Sequence, residues 1–149
     1  VGAGDAALDY ALHLAPHNQV VILNRGQQVK GLNLLWKRVQ EQAQIRYHQE
    51  RRITRIASGS GDNIQVVTRG IGGEKSYLCD YVIPAIGRRP ALDFIDADLE
   101  REVQYLVDQE RLFFIGDVKN GPYRQTAIAV GDGIKAAMII GRNIGEGMQ

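Results

Sequence analysis

The sequence has 149 residues, 44% hydrophobic and 23% charged, with a formal net charge of +1. That length holds one ordinary domain or two small ones, and the composition is that of a globular chain rather than a disordered or fibrous one. The near-neutral charge argues against a nucleic-acid or anionic-membrane binder, and no apolar stretch is long enough to span a bilayer. The single cysteine, Cys79, excludes an internal disulfide and fits a reducing compartment, so cytoplasm is expected.

The chain opens on Val1-Gly2-Ala3-Gly4-Asp5-Ala6-Ala7, which reads G-x-G-x-x-A. In a dinucleotide fingerprint the first two glycines permit a tight turn and close backbone approach to a pyrophosphate. The third small residue lets helix and strand pack closely. Gly2, Gly4, Asp5 and Ala7 are therefore candidate cofactor contacts. Leu8, Ala11, Leu12 and Ala15 share a face at i, i+3, i+4, i+7, which predicts a helix. Pro16-His17-Asn18 ends it, and Gln19 to Leu23 reads as a buried strand. This is the second half of a βαβ unit. Only Val1 precedes the glycines, so the first strand, and whatever comes before it, is expected to lie outside this sequence.

Nucleotide selectivity is set at the end of the second strand of such a unit, where a carboxylate suits the ribose of NAD and Arg suits the phosphate of NADP. Asn24-Arg25-Gly26-Gln27-Gln28-Val29-Lys30 offers two cations and no carboxylate. Asn24, Arg25 and Lys30 are candidate contacts, and NADPH is favoured over NADH. The plainer reading of Arg25 and Lys30 is ordinary solvated charge.

Leu32, Leu35, Trp36, Val39 and Ala43 mark a second amphipathic helix, with Trp36 in the core, and Ile45-Arg46-Tyr47 a short strand. From Glu50 the period changes to two. Strands are expected over Arg52–Ile56, Ile64–Thr68 and from Tyr77, with turns at 59–63 and 70–73. The cluster Arg46, Arg51, Arg52, Arg55 has no interleaved aromatics beyond Tyr47 and reads as a solvated sheet face. Cys79 reads as a buried structural thiol, with no His or Lys beside it. His13, His17 and His48 show no metal-ligand spacing with it, so no metal is expected.

An apolar strand, Tyr81 to Ile86, runs into Gly87-Arg88-Arg89-Pro90. Residues 91–111 are acidic (Asp93, Asp96, Asp98, Glu100, Glu102, Asp108 and Glu110) and lack a clear period, with an edge strand expected near Val103–Val107. Leu112–Ile115 reads as a strand stopping at Gly116-Asp117, followed by a turn and a small-residue helix. An Asp past a buried strand can accept hydrogen bonds from ligand hydroxyls. The amides near Gln125 and Thr126 form a positive pole suited to an anion or an electron-rich ring. Ile134 to Ile144 is apolar nearly all round, which predicts burial, and Gly145-Glu146-Gly147 ends the helix.

The run F-I-G-D-V-K-N-G-P-Y-R-Q-T-A-x-A-x-G-D-G resembles the C-terminal flavin motif of the thioredoxin-reductase-like pyridine nucleotide-disulfide oxidoreductases. The resemblance implies that Gly116-Asp117 contacts the FAD ribityl and pyrophosphate region. Arg124 and Gln125 would open the helix aimed at the flavin pyrimidine edge, where its N-terminus stabilises negative charge on reduced flavin. Asn24, Arg25 and Lys30 match a His, an Arg and an Arg of the family segment H-R-R-D-x-F-R, and Gly26 replaces its second Arg. The three strands resemble the family's antiparallel meander. A-I-G-R-R-P resembles the exit from the NAD(P) domain, with Gly87 close to the nucleotide and Arg88 and Arg89 as weaker candidates. Asp108-Gln109-Glu110-Arg111 departs from the family's Thr-x-x-Pro-Gly approach to the flavin strand.

The implied fold is α/β: a Rossmann-like NAD(P)-binding domain with a β-meander over residues 1–88, a crossover over 89–111, and a strand–helix piece of an FAD-binding domain over 112–149. The implied activity is hydride transfer from NAD(P)H to FAD, with no acid–base residue needed and none assigned as catalytic. The N-terminal half of the FAD domain and the redox-active C-x-x-C are absent from this sequence, so the chain alone is expected to be inactive. The implied partners are the nucleotide cofactors and a redox protein or small-molecule acceptor, with a homodimer possible by resemblance. Two other readings stay open: a nucleotide-binding or interaction module without turnover, and a ferredoxin-type electron-transfer reductase that uses no C-x-x-C.

Overall fold

The computed structural model describes residues 1–96, 99 and 102–146. Asp98, Glu100 and the helix stop at Gly147 therefore lie outside the described residues. Two compact units divide the chain, residues 1–87 and 88–149.

In the first unit, helix α1 spans Asp5–Leu14 and buries Ala7, Leu8 and Ala11, the face expected from the apolar spacing. It runs into a 3₁₀ turn at Ala15–His17, where Pro16 ends the α geometry. Asn18 Nδ2 then donates to the Leu14 carbonyl at 2.9 Å, satisfying one of the acceptors a helix end leaves over. Strand β1 (Val20–Leu23) pairs in parallel with β2 (Ile45–His48), Val20 opposite Ile45 and Leu23 opposite His48. The link between them is α2, Asn33–Gln40. It is shorter than its apolar spacing suggests, and Ala43 lies beyond it, exposed.

The sheet continues past β1 on its other edge. Gly2 N–H donates to Leu23 O at 3.0 Å, the Val1 ammonium to Ile83 O at 2.7 Å, and Ala85 N–H to Val1 O at 2.7 Å. That alternation is the bond pattern of parallel pairing, so residues 1–2 lie between β1 and residues 83–85. The core below consists of Leu8, Ala11, Ile22 and Val39, with Trp36 and Tyr47 packed against it and meeting each other edge to face, ring centroids 4.8 Å apart.

The meander follows as β3 (Arg52–Ser58), β4 (Ile64–Gly70) and β5 (Gly73–Cys79), antiparallel in that order. A register shift between Ile53 and Arg55 marks a bulge. The central strand buries Val66, Val67 and Thr68, and Thr68 Oγ1 donates to Lys75 O at 3.2 Å. A two-residue loop, Ile71-Gly72, joins β4 to β5. Arg51, expected on a solvated face, is instead 8% exposed. Its guanidinium donates to Ile71 O at 2.8 Å and Gly73 O at 2.9 Å, clamping that hairpin turn. Its position next to Arg52 concealed this, because burial of a cation is decided by carbonyls some twenty residues away.

In the second unit, α3 spans Val103–Asp108, where an edge strand is expected from the sequence. Val103, Leu106 and Val107 are the half-buried positions, an i, i+3, i+4 set, and Gln104 Nε2 donates to Asp108 Oδ1 at 2.8 Å. Helical spacing therefore overrides β-branched propensity. Residues 112–115 join no ladder among the described residues, so no strand forms: the Leu112 N–H turns back to Leu106 O at 3.1 Å, and Ile115 is extended. A strand needs ladder partners, and the described residues of this unit supply none. Helix α4 spans Thr126–Glu146. Its apolar side chains are not buried as their run suggests: Ile134 is 57% and Met138 71% exposed. Arg142 and Asn143 both bond Glu110 Oε2, at 2.8 and 2.9 Å, which ties α4 to the end of α3.

Two outcomes follow. Arg51→Met should lower the urea unfolding free energy of the first unit, followed by Trp36 fluorescence, by about 2 kcal/mol, whereas Arg52→Met changes it by less than about 0.5 kcal/mol. Burial, and then Asp80, push the Cys79 thiol above its ordinary range. Alkylation of Cys79 by iodoacetamide should therefore run slower than that of free cysteine at neutral pH, and should still be accelerating where free cysteine has levelled off.

Candidate functional site

At the carboxyl end of the parallel sheet, Gly2 adopts φ +124°, and an added Cβ would collide with the Ala85 carbonyl. Only glycine permits this close strand-to-turn packing. Around Gly4 the surroundings are open: an added Cβ meets nothing within 4 Å. Gly4 is also the N-cap of α1 and provides no side-chain cap, so the first-turn N–H groups have no capping side chain. Open space in front of uncapped helix amides suits a phosphate. Ala7 is buried behind this turn.

The loop after β1 is bonded to that turn. Lys30 and Gly31 N–H both donate to Ala3 O, at 2.7 and 3.1 Å, and Leu32 N–H donates to Asp5 Oδ1 at 2.6 Å. Asp5 thus faces the loop rather than the open front of Gly4. Asn24 is buried: its Nδ2 donates to Gln28 O (3.0 Å) and Tyr47 Oη (2.9 Å), and its Oδ1 accepts from Gly26 N–H (3.0 Å). Its amide shapes the loop. Arg25 and Lys30 are exposed and make no ion pair among the described residues. With Asn24, Gly26, Gln27 and Gln28 they line a pocket of about 320 Å³. A neighbouring pocket of about 400 Å³ is walled by Trp36, Tyr47 and Gln49. Gly87, at φ +84°, also has open space where a side chain would project.

In the second unit, Gly116 (φ +64°) and Asp117 open a 3₁₀ turn, Gly116–Val118, with Ile115 extended before it. The Asp117 carboxylate is 46% exposed and pairs with Arg88 at 3.0 Å, so the Arg88 guanidinium turns to Asp117. Arg124 donates from NH1 to Arg88 O at 2.8 Å, while its Nε is buried with no partner among the described residues. An exposed carboxylate with acceptor capacity beyond its Arg88 pair suits a ligand that carries hydroxyls. Arg88, Asp117 and Arg124 are therefore gathered, with Gln125 and Thr126 following at the start of α4. Arg89 is exposed, with no hydrogen bond or ion pair to the described residues.

Sequence reasoning missed the residues that hold this turn. Asp132, on α4, accepts from Gly116 N–H at 3.1 Å, from Asn120 Nδ2 and from Lys119 Nζ at 3.4 Å. The available signal was the acid between Gly131 and Gly133, at the end of the run that carries the flavin-motif resemblance. Among the described residues no three His, Cys, Asp or Glu side chains gather as metal ligands would, and no helix is long and apolar enough to cross a membrane.

Comparison with known proteins gives the family and the fold. Residues 1–133 match the family model described as pyridine nucleotide-disulphide oxidoreductase. The thioredoxin reductase of Debaryomyces hansenii is 30% identical over 153 residues, covering 93% of this chain and 47% of that protein. That of Chlamydia pneumoniae is 28% identical, covering 97% and 50%. Among solved structures, Lactococcus lactis thioredoxin reductase superposes with a TM-score of 0.76 at 23% identity, over 97% of this chain and 52% of that one. T. acidophilum thioredoxin reductase gives 0.67 at 23% identity, over 92% and 49%. The chain spans about half the length of these relatives. Its fold is Rossmann-like α/β, and a match over most of its length shows that the chain belongs to the pyridine nucleotide-disulphide oxidoreductase family.

Proposed function

We propose that this chain carries the NADPH site, and part of the FAD site, of a flavoprotein oxidoreductase of the thioredoxin-reductase type. The observation that carries the reading is the open glycine turn at Gly2–Gly4, leading into uncapped helix amides and bonded to a loop with two unpaired cations. The first-turn amides of α1 would take the pyrophosphate, and Arg25 and Lys30 the 2′-phosphate. Asn24 and Asp5 hold the loop that presents those cations. In the second unit, Asp117 would accept hydrogen bonds from the ribityl hydroxyls. Arg124 and Gln125, at the start of α4, would face the pyrimidine edge.

The bound cofactors would supply hydride transfer from nicotinamide to flavin, and the chain's own residues bind and orient them. No side chain here needs to move a proton for that step. The electron acceptor would be a redox protein, as the relatives' name suggests, or a small molecule. With one cysteine, these 149 residues cannot form a C-x-x-C pair.

Trp36 walls the pocket beside the loop and is the one tryptophan, so its fluorescence should be quenched by bound reduced nicotinamide. NADPH should bind about tenfold more tightly than NADH, and Arg25→Ala should remove most of that difference. Equal affinities would exclude a 2′-phosphate role for the two cations, and absence of quenching by either nucleotide would overturn the reading. For the flavin part, FAD fluorescence should be quenched on titration with the chain, and Asp117→Ala should raise the Kd about tenfold.

A further inference from the structure

We propose that Asp132 is a positioning residue for the flavin site, acting through the backbone of the Gly116–Asp117 turn. The inference rests on the reading of Asp117 as a ribityl contact, and it concerns how that contact is held in place.

Gly116 sits where an extended segment ends and a 3₁₀ turn begins. Its N–H therefore has neither a strand ladder nor a preceding helical carbonyl to bond, and it is buried. Such a donor needs an acceptor from elsewhere. Asp132 Oδ2 supplies it at 3.1 Å from a position sixteen residues along the chain. The same oxygen accepts from Asn120 Nδ2, and Asn120 Nδ2 also donates to Gly116 O at 2.8 Å. Both polar groups of the Gly116 peptide are thereby held in one closed ring of Gly116, Asn120 and Asp132. The backbone N–H groups of Lys119 and Asn120 return to Gly116 O as well, at 3.1 and 3.2 Å.

Packing fixes the remaining freedom. Gly116 adopts a left-handed φ of +64°, and a Cβ there would stand 3.3 Å from Ala129 Cβ, so the turn rests directly on α4. Asp132 is ionised in this setting. The Asn120 amide, then the Gly116 N–H and the Lys119 ammonium, hold its carboxyl below the usual range against the opposing effect of burial. An ionised acceptor makes the stronger hydrogen bond to Gly116 N–H. Among the described residues Asp132 makes no hydrogen bond to Asp117, whose carboxylate points to Arg88. Its influence on a ligand of Asp117 passes through the Gly116–Asp117 backbone. A one-ångström drift of that turn would misplace the carboxylate that Asp117 offers to a hydroxyl.

A double-mutant cycle on the full chain tests this, using FAD affinity measured by fluorescence quenching. Asp132→Ala should weaken FAD binding about tenfold, as Asp117→Ala does, and the double variant should be no weaker than Asp117→Ala alone. Asp132→Asn retains an acceptor oxygen for Gly116 N–H and should recover most of the affinity, and it replaces the Ala variant if that fails to fold. Additive losses, or unchanged affinity in Asp132→Ala, would overturn the proposal. Amide hydrogen exchange gives a readout independent of flavin: Gly116 N–H should exchange at least about tenfold faster in Asp132→Ala, with α1 amides unchanged. If the unsubstituted chain binds no FAD, the flavin reading fails, and the exchange rate alone judges the lock. Unchanged protection at Gly116 would then show that Asp132 holds nothing.

Discussion

The hydrogen bond from Gly2 N–H to Leu23 O governs the first unit. It sets the register between the glycine turn and β1, and so brings the start of α1 and the loop after β1 to the same end of the parallel sheet. Ligands of open α/β sheets bind at that end because helix amides and loop side chains converge there. A further set of bonds, from Lys30, Gly31 and Leu32 back to Ala3 and Asp5, ties the loop to the turn. The spacing between the uncapped helix end and two exposed cations is thereby built into the backbone rather than left to side-chain rotamers. Preorganisation of this kind reduces the ordering cost of binding a dinucleotide.

Much of this was legible in the sequence because the signals are local. The face of α1, the parallel strands and the meander follow from apolar periods of 3.6 and 2, and the glycine turn follows from its spacing. Failures occurred where structure depends on distant partners. Val103–Val107 is β-branched and apolar, yet its spacing suits a helix closed by the Gln104–Asp108 pair. Leu112–Ile115 is apolar enough for a strand, but a strand exists only when another segment pairs with it. The apolar run of α4 likewise implies burial, and among the described residues no element covers Ile134 or Met138.

The site was legible in outline only. Its two glycine-containing turns carry recognisable residues, but the side chains that hold them are polar residues without local pattern. Asn24 looked like a ligand contact, and its amide closes the loop and meets Tyr47, twenty-three residues away. Asp132, which the sequence reading gave no role, satisfies a buried N–H sixteen residues earlier. Buried polar groups must be paired, but the sequence alone does not say with what.

Arg51 joins these themes. Its backbone N–H donates to Asn24 O at 2.8 Å, and its guanidinium grips the hairpin turn between β4 and β5. One residue therefore couples the loop after β1 to the meander. A guanidinium stays protonated at any pH a folded protein experiences. Burial, and then the charges of Lys75, Arg51 and Arg46, hold the His48 pKa below its ordinary value, so acid strong enough to protonate His48 sets another cation beside this joint.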